Sequence, residues 1–190
     1  MTGDPADRTT EKPATDEGSK GNPESHPVKQ IEYGNLDIRI DRDGSWFYHG
    51  SAIARKELVR YFASLLKRDG EGGYWLESPY EKGRILVEDV AFLAVELTVA
   101  GHGRGQKLIF RTNIDENVIA GPNHPIRVVE DSQTGEPAPY VMVRDGLEAR
   151  MTRPVFYELV ELGVEDQISG QNKFGVWSEW TFFPIGSLTP

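Results

Sequence analysis

The spacing of hydrophobic residues predicts a chain built mainly of strands, with two helices. Apolar and polar residues alternate over residues 92–99, which is typical of a strand that buries one face, here the face of Leu93 and Val95. Over residues 52–67 the apolar positions, Leu58 and Tyr61 among them, recur three or four apart, which predicts an amphipathic helix capped by Ser51. A second helix is predicted after the cap Thr152.

The chain also contains an internal repeat. Arg-Asp-Gly occurs at residues 42–44 and again at 144–146, and in both places the Asp-Gly pair is typical of a hairpin turn. A helical Glu-Leu-Val and a tryptophan, Trp75 or Trp177, follow each turn in the same order. The sequence therefore predicts an α+β fold of two related modules, each with mainly antiparallel strands and one helix.

The composition along the chain places the limits of these modules. Residues 1–29 consist almost entirely of Pro, Gly, Ser, Thr and charged residues, so they bury too little apolar surface to fold and are predicted to form a disordered tail. Residues 30–89 form the predicted N-terminal module. Residues 90–190 form the predicted C-terminal module, which is rich in strands and contains one helix.

The charge and the residue types restrict the classes of function. A net charge of −9 over 190 residues argues against binding of duplex nucleic acid, although a local group of arginines can still bind a small anion. The chain has no cysteine, and it has no apolar run long enough to span a bilayer or to form a signal sequence. We therefore expect a soluble, cytoplasmic protein.

Motifs for catalysis or for metal binding are weak. The histidines lack the spacing of a helical zinc site, and no Gly-x-Ser-x-Gly motif is present. The glycine-rich loop at residues 101–105 lacks the lysine of a phosphate-binding loop, and the acidic residues Asp115 and Glu116 are predicted to form a solvated turn. No metal and no cofactor are therefore expected.

Several segments, taken in order, resemble a known family. They are DGSWFYHG, ELVRYFASLL, YWLESPYEKGRILVEDVAF, PYVMVRDGLEARM, YELVE and GVWSEWTFFPIGS. Over residues 31–188 this order resembles the bacterial proteins grouped as domain of unknown function family 1285. The resemblance implies a duplicated core, a second half loosely similar to pleckstrin-homology folds, and a ligand site where the two halves meet.

The resemblance and the residue chemistry together suggest a ligand site. The matching segments near such an interface contain Glu81, Lys82, Arg144, Glu148, Arg150, Trp177 and Ser178. We expect Arg144 and Arg150 to bind phosphate, because arginine forks match planar anions, and Trp75 or Trp177 to stack on a base. A glycine is expected soon after Ser178, but the chain has Glu179 instead, so the role of Ser178 is the weakest part of the comparison.

Three functions remain open at this stage. The first is a non-catalytic protein of bacterial signal transduction that holds a small, nucleotide-like anion between its modules. The second is an adaptor that binds a protein partner without a small ligand. The third is a hydrolase with Glu81 or Glu148 as general base, for which a deep cleft and shifted carboxylate pKa values would be the evidence.

Overall fold

The computed structural model describes residues 30–130 and 135–186. The predicted tail at residues 1–29 lies outside these ranges. The described chain is mostly β with two helices, and it contains two six-stranded mixed sheets and one three-stranded sheet.

The N-terminal module forms the first sheet. Its elements are β1 Ile31–Ile40, β2 Trp46–Tyr48, β3 Ser51–Ala52, α1 Lys56–Leu65, β4 Leu66–Arg68, β5 Tyr74–Glu77 and β6 Glu81–Val87. The strand order is β3-β2-β1-β6-β5-β4. The central pair, β1 and β6, is parallel, and the other neighbours are antiparallel.

The first helix is shorter than predicted. Ser51 belongs to β3, and the residue before the helix is Arg55, so the prediction that Ser51 caps this helix is wrong. The apolar stripe was also assigned too broadly. Tyr61 is 58% exposed and Leu58 is 37% exposed, because their side of the helix faces an open groove rather than the core.

The C-terminal module forms the other two sheets. Its elements are β7 Phe92–Ala100, β8 Lys107–Thr112, β9 Asn117–Ile119, β10 Ile126–Glu130, β11 Pro137–Arg144, β12 Leu147–Met151, α2 Arg153–Glu161, β13 Val164–Ile168, β14 Gln171–Ser178 and β15 Thr181–Gly186. The six-stranded order is β10-β11-β12-β7-β8-β9, in which only β12 and β7 are parallel. The last three strands form an antiparallel meander.

Both predicted Asp-Gly turns are hairpin turns. Gly44 (φ 78°) joins β1 to β2, and Gly146 (φ 77°) joins β11 to β12, in the left-handed backbone region that favours glycine. A helix and then three strands follow each hairpin, and in the first module the short strand β3 precedes the helix. The sheet pairing differs, because β6 returns to pair with β1, whereas β15 stays in the separate meander.

A single hydrophobic core joins the modules. Trp46 and Ile40 from the first sheet and Phe110 and Val141 from the second belong to one continuous cluster of buried side chains. The predicted buried face of residues 92–99 is wrong at Leu93 and Val95 and right at Leu97, which packs against the core. Phe92 and Ala94 are fully buried, whereas Val99 is 39% exposed, because a register irregularity with β8 after Ala94 changes the face of β7 that meets the core.

Candidate functional site

The N-terminal module contains a groove of ligand size. It has a volume of about 540 Å³ and lies between α1 and the inner face of the first sheet. Apolar side chains form most of its wall: Leu36, Ile38, Ile53, Leu58, Phe62, Leu65 and Leu76. Its other lining residues are Tyr33, Tyr48, Tyr61, Ser78, Glu81, Lys82 and Gly83. The size and the apolar lining are those of a small-molecule site.

Strand geometry separates the two charged residues of this groove. Side chains alternate between the faces of a sheet, so Glu81 shares the inner face with Gly83, and Lys82 belongs to the outer face. The Lys82 ammonium forms an ion pair with Glu32 (2.9 Å) and lies 5.1 Å from the centre of the Trp75 ring. Lys82 lines the cavity, but its charge is directed away from it.

A short turn fixes the position of Glu81. The Ser78 hydroxyl accepts hydrogen bonds from the backbone N–H groups of Tyr80 and Glu81, at 3.3 and 3.0 Å. The backbone N–H of Ser78 donates in turn to the carbonyl of Glu81 (2.8 Å). The Glu81 carboxylate accepts a long hydrogen bond from the Tyr33 hydroxyl (3.4 Å). These contacts hold a carboxylate at the rim of the groove.

Arg144 lies at the junction of the two modules, as the sequence suggested. Its guanidinium donates to the Ala63 carbonyl at the end of α1 (2.8 Å) and forms an ion pair with Glu116 of the C-terminal module. A smaller cavity of about 330 Å³, the junction pocket, is lined there by Arg60, Ser64, Ile114, Asp115, Glu116 and Arg144.

Asp115 is the centre of an ionic cluster in this junction. Its carboxylate contacts Lys56 (2.7 Å) and Arg60 from α1, and Arg111 from β8 (2.9 Å). These contacts, with the hydrogen bond from Lys56 foremost, lower the pKa of Asp115 from 3.8 to about 2. The segment is a turn, as predicted, and Asp115 in addition forms an ionic contact between the modules.

The two repeated hairpin turns both contact the opposite module. The Asn113 side chain donates to the Gly44 carbonyl (3.4 Å), and Arg68 donates to the Gly146 carbonyl (3.2 Å). A side chain on Gly44 would meet the Asn113 amide at 2.7 Å. The Asp-Gly pairs thus contribute both to the hairpins and to the contact between modules.

Glu148 and Arg150 are held in ion pairs with other residues. Arg127 donates to both oxygens of the buried Glu148 carboxylate, at 2.5 and 2.6 Å, and these contacts raise the pKa of Arg127. Arg150 donates to Asp89 (3.1 Å), which also accepts a hydrogen bond from Tyr140. A ligand phosphate at Arg150 would therefore compete with a carboxylate of the protein.

The repeated tryptophans have matching environments but lie in different modules. The Trp75 indole donates to Asp69 (2.7 Å), and the Trp177 indole donates to Asp166 (3.0 Å). An arginine lies over each ring, at 5.0 Å for Arg84 and 4.7 Å for Arg104. Trp177 lines a separate cavity of about 460 Å³ beside Arg104 and Asp166.

Ser178 is fully buried and joins three strands. Its hydroxyl donates to the Ala120 carbonyl (2.7 Å) and accepts from the Leu108 N–H (3.0 Å). It therefore connects the final meander to β8 and to the end of β9.

The sequence-predicted residues thus lie in several places. Glu81 and Lys82 line the groove, Arg144 lines the junction pocket, and the other residues lie apart from these two cavities. The groove tyrosines Tyr33 and Tyr61 were missed as site residues. Tyr61 was assigned to the core stripe, although its placement beside Phe62 on the edge of the helical stripe was a usable signal.

Across residues 30–130 and 135–186, no group of three or more histidine, aspartate or glutamate side chains is arranged to hold a metal ion. Neither helix in these ranges has the length and apolar character needed to cross a bilayer.

The fold and cavities define a β-rich, two-module protein with a ligand-sized groove in its first module. Two family models match it: the N-terminal domain of the domain of unknown function DUF1285 over residues 26–90, and the C-terminal domain of the protein of unknown function DUF1285 over residues 91–185. The chain belongs to the DUF1285 family.

Solved structures agree with this assignment. A DUF1285 family protein from Silicibacter pomeroyi DSS-3 is 46% identical, with 90% of each chain covered and a TM-score of 0.77. A DUF1285 family protein from Shewanella baltica OS155 shares the fold at 24% identity and a TM-score of 0.53, over 66% of this chain and 91% of the other. No curated protein matches the chain.

Proposed function

We propose that the chain is a small-molecule binding protein and that the groove between α1 and the first sheet is its binding site. The observation that supports this most directly is the groove itself: about 540 Å³ with a mainly apolar wall. Tyr33, Tyr48 and Tyr61 at this groove are 44%, 50% and 58% exposed. Grouped exposed aromatic side chains gain free energy when a ligand covers them.

We also propose a role in bacterial signal transduction, and the position of α1 supports it. This helix lines the groove with Leu58 and Phe62, and it contacts the C-terminal module through Lys56 and Arg60. A ligand that moves the helix would therefore change the contact between modules. We also propose that the two modules arose by duplication of one ancestral module, which the matching Trp–Asp–Arg groups support. The second half is proposed to be loosely similar to pleckstrin-homology folds.

A thermal-shift screen of small apolar and aromatic molecules tests the proposal. A ligand at about a hundred times its dissociation constant stabilises the folded state by about 2.7 kcal/mol. Tyr61→Arg should abolish the shift, because it places a bulky charge at the groove. Tyr157→Arg is the matched control, since Tyr157 is a similarly exposed helical tyrosine (62%) in α2. Ligands that stabilise Tyr61→Arg and wild type equally would place the site elsewhere and refute the proposal.

The second candidate is a nucleotide-like anion in the junction pocket. Its support is the convergence of Arg60 and Arg144 on one cavity from opposite modules. Each arginine already has a carboxylate partner, so the anion would have to displace Asp115 or Glu116. Titration with AMP should then give a stabilisation that Arg144→Gln removes. Equal stabilisation of wild type and Arg144→Gln would count against this candidate.

The other functions have less support. A hydrolase that uses Glu148 as a base is disfavoured, because Arg127 occupies both oxygens of this carboxylate. An adaptor that binds a protein partner would use the same exposed tyrosines. In that case the partner would protect Tyr61, and the small-molecule screen would give no shift.

A further inference from the structure

We propose that the ligand of the groove is an apolar organic cation, that is, a small molecule with an aliphatic or aromatic body and one ammonium group. This inference rests on the proposed function and specifies the chemistry of the same site. It also differs from the anion expected from the sequence. The strand register determines the charge that the groove presents to a ligand.

The register of β1 with β6 places one carboxylate beside the groove. Ile31 pairs with Glu81 and Tyr33 with Gly83, so these residues share the inner face of the sheet. Gly83 is buried among groove residues, and its missing side chain leaves space that the Leu36 side chain occupies. The Glu81 carboxylate is exposed at this face.

The neighbouring positive charge belongs to the opposite face. Glu32 pairs with Lys82 in the same register, and their side chains form an ion pair of 2.9 Å on the outer face. Lys82 also lies over the Trp75 ring. Trp75 belongs to the outer face of β5, because its neighbours Tyr74 and Leu76 are the buried residues of that strand. Of the two charged residues that line the groove, only Glu81 therefore directs its charge to the ligand side.

The aromatic rings favour the same sign of charge. The face of a tyrosine ring carries partial negative charge and attracts ammonium groups. Three tyrosines line this groove together with Phe62. An ammonium near Glu81 would gain from the carboxylate and from these rings, while its apolar body would cover Leu58 and Ile38. A carboxylate or phosphate in the same position would be repelled by Glu81.

Isothermal titration calorimetry with three matched probes tests the inference: octyltrimethylammonium, octan-1-ol and octanoate. The cation should bind at least about tenfold more tightly than the neutral alcohol, because about 1.4 kcal/mol of ionic and ring contacts corresponds to this factor. Octanoate should bind more weakly than the alcohol. Glu81→Gln should reduce the affinity for the cation by about tenfold and leave the alcohol nearly unchanged.

Two variants serve as controls. Glu77→Gln removes a carboxylate from the adjacent strand at the position paired with Lys82, so it should not change the affinity for the cation. Lys82→Met controls for the direction of the Lys82 side chain, because a loss of octanoate binding in this variant would show that the Lys82 ammonium reaches the ligand side.

The outcomes separate the two proposals. If the three probes bind with equal affinity and Tyr61→Arg abolishes all of them, the groove is the site but the preference for a cation is wrong. Tighter binding of octanoate, with loss in Lys82→Met, would overturn the preference and support an anion. If no probe binds and the screen yields no ligand sensitive to Tyr61→Arg, both the proposed function and this inference fail.

Discussion

Ser178→Ala distinguishes a structural role for this residue from the ligand-binding role expected from the family resemblance. The hydroxyl is fully buried and makes two hydrogen bonds, one to the Ala120 carbonyl and one from the Leu108 N–H. Alanine removes both and leaves a buried donor and a buried acceptor. An unsatisfied buried group costs about 1–3 kcal/mol, so the two groups together should lower the free energy of unfolding by about 2–6 kcal/mol.

Urea denaturation followed by tryptophan fluorescence measures this loss. For a chain of this size each kcal/mol lowers the melting temperature by about 2–4 °C, so calorimetry should show a decrease of about 4–24 °C. Ser64→Ala is the control, because the Ser64 hydroxyl is exposed and donates only to the Tyr61 carbonyl of its own helix (2.6 Å). That variant should change stability by less than about 0.5 kcal/mol.

The opposite result would refute the structural reasoning. If Ser178→Ala unfolds at the wild-type urea concentration but no longer responds to a ligand, Ser178 is a ligand-binding residue. A loss of stability together with an unchanged affinity would confirm that Ser178 joins the last meander to the second sheet.

Three further predictions concern other positions. Tyr74→Phe should raise stability by up to about 1 kcal/mol in urea denaturation, because the Tyr74 hydroxyl is buried without a hydrogen-bond partner among the described residues, and burial raises its pKa. A loss of stability above about 1 kcal/mol would show that the hydroxyl does have a hydrogen-bond partner. Asp115→Asn should lower stability at neutral pH. The difference from wild type should disappear as pH falls from 3.8 to about 2, because the lowered pKa of Asp115 in the folded state contributes stability that is lost when this carboxylate is protonated. A pH-independent difference would contradict this. Gly83→Ala should cost about 1–3 kcal/mol, since the new methyl would lie 2.4 Å from the Leu36 side chain, and a wild-type melting curve would show that Leu36 moves freely.

The local elements could largely be predicted from the sequence. Asp-Gly turns, the helical spacing before Leu65 and the cap position Thr152 depend on neighbours in the chain, and the structure has both hairpins and both helices. The two parallel strand pairs were not predicted, because they join segments far apart in the chain. The face of β7 was wrong for a related reason, since its partner strand imposes an irregularity that alternation alone does not reveal.

The site was less predictable than the fold. Arg144 was correctly associated with the contact between halves, but its partner Glu116 and the carbonyl of Ala63 come from distant segments. The sign of the groove charge could not be read from Glu81-Lys82 as neighbours. It depends on which of the two adjacent side chains faces inward, and the pairing with β1 decides this.

The parallel pairs also constrain the order of folding during synthesis. The first sheet requires Ile31 to meet Glu81, so it can close once the chain through Val87 has been made. The second sheet requires Ala94 to meet Met151, so its central pair cannot form until β12 has left the ribosome. Because long loops must close before such contacts form, the first module has time to fold before the second is complete. Until then the first module lacks the part of the shared core that the second sheet supplies, Phe110 and Val141 among its residues. Pulsed hydrogen exchange on arrested nascent chains should detect protected amides in β1 and β6 before any in β7.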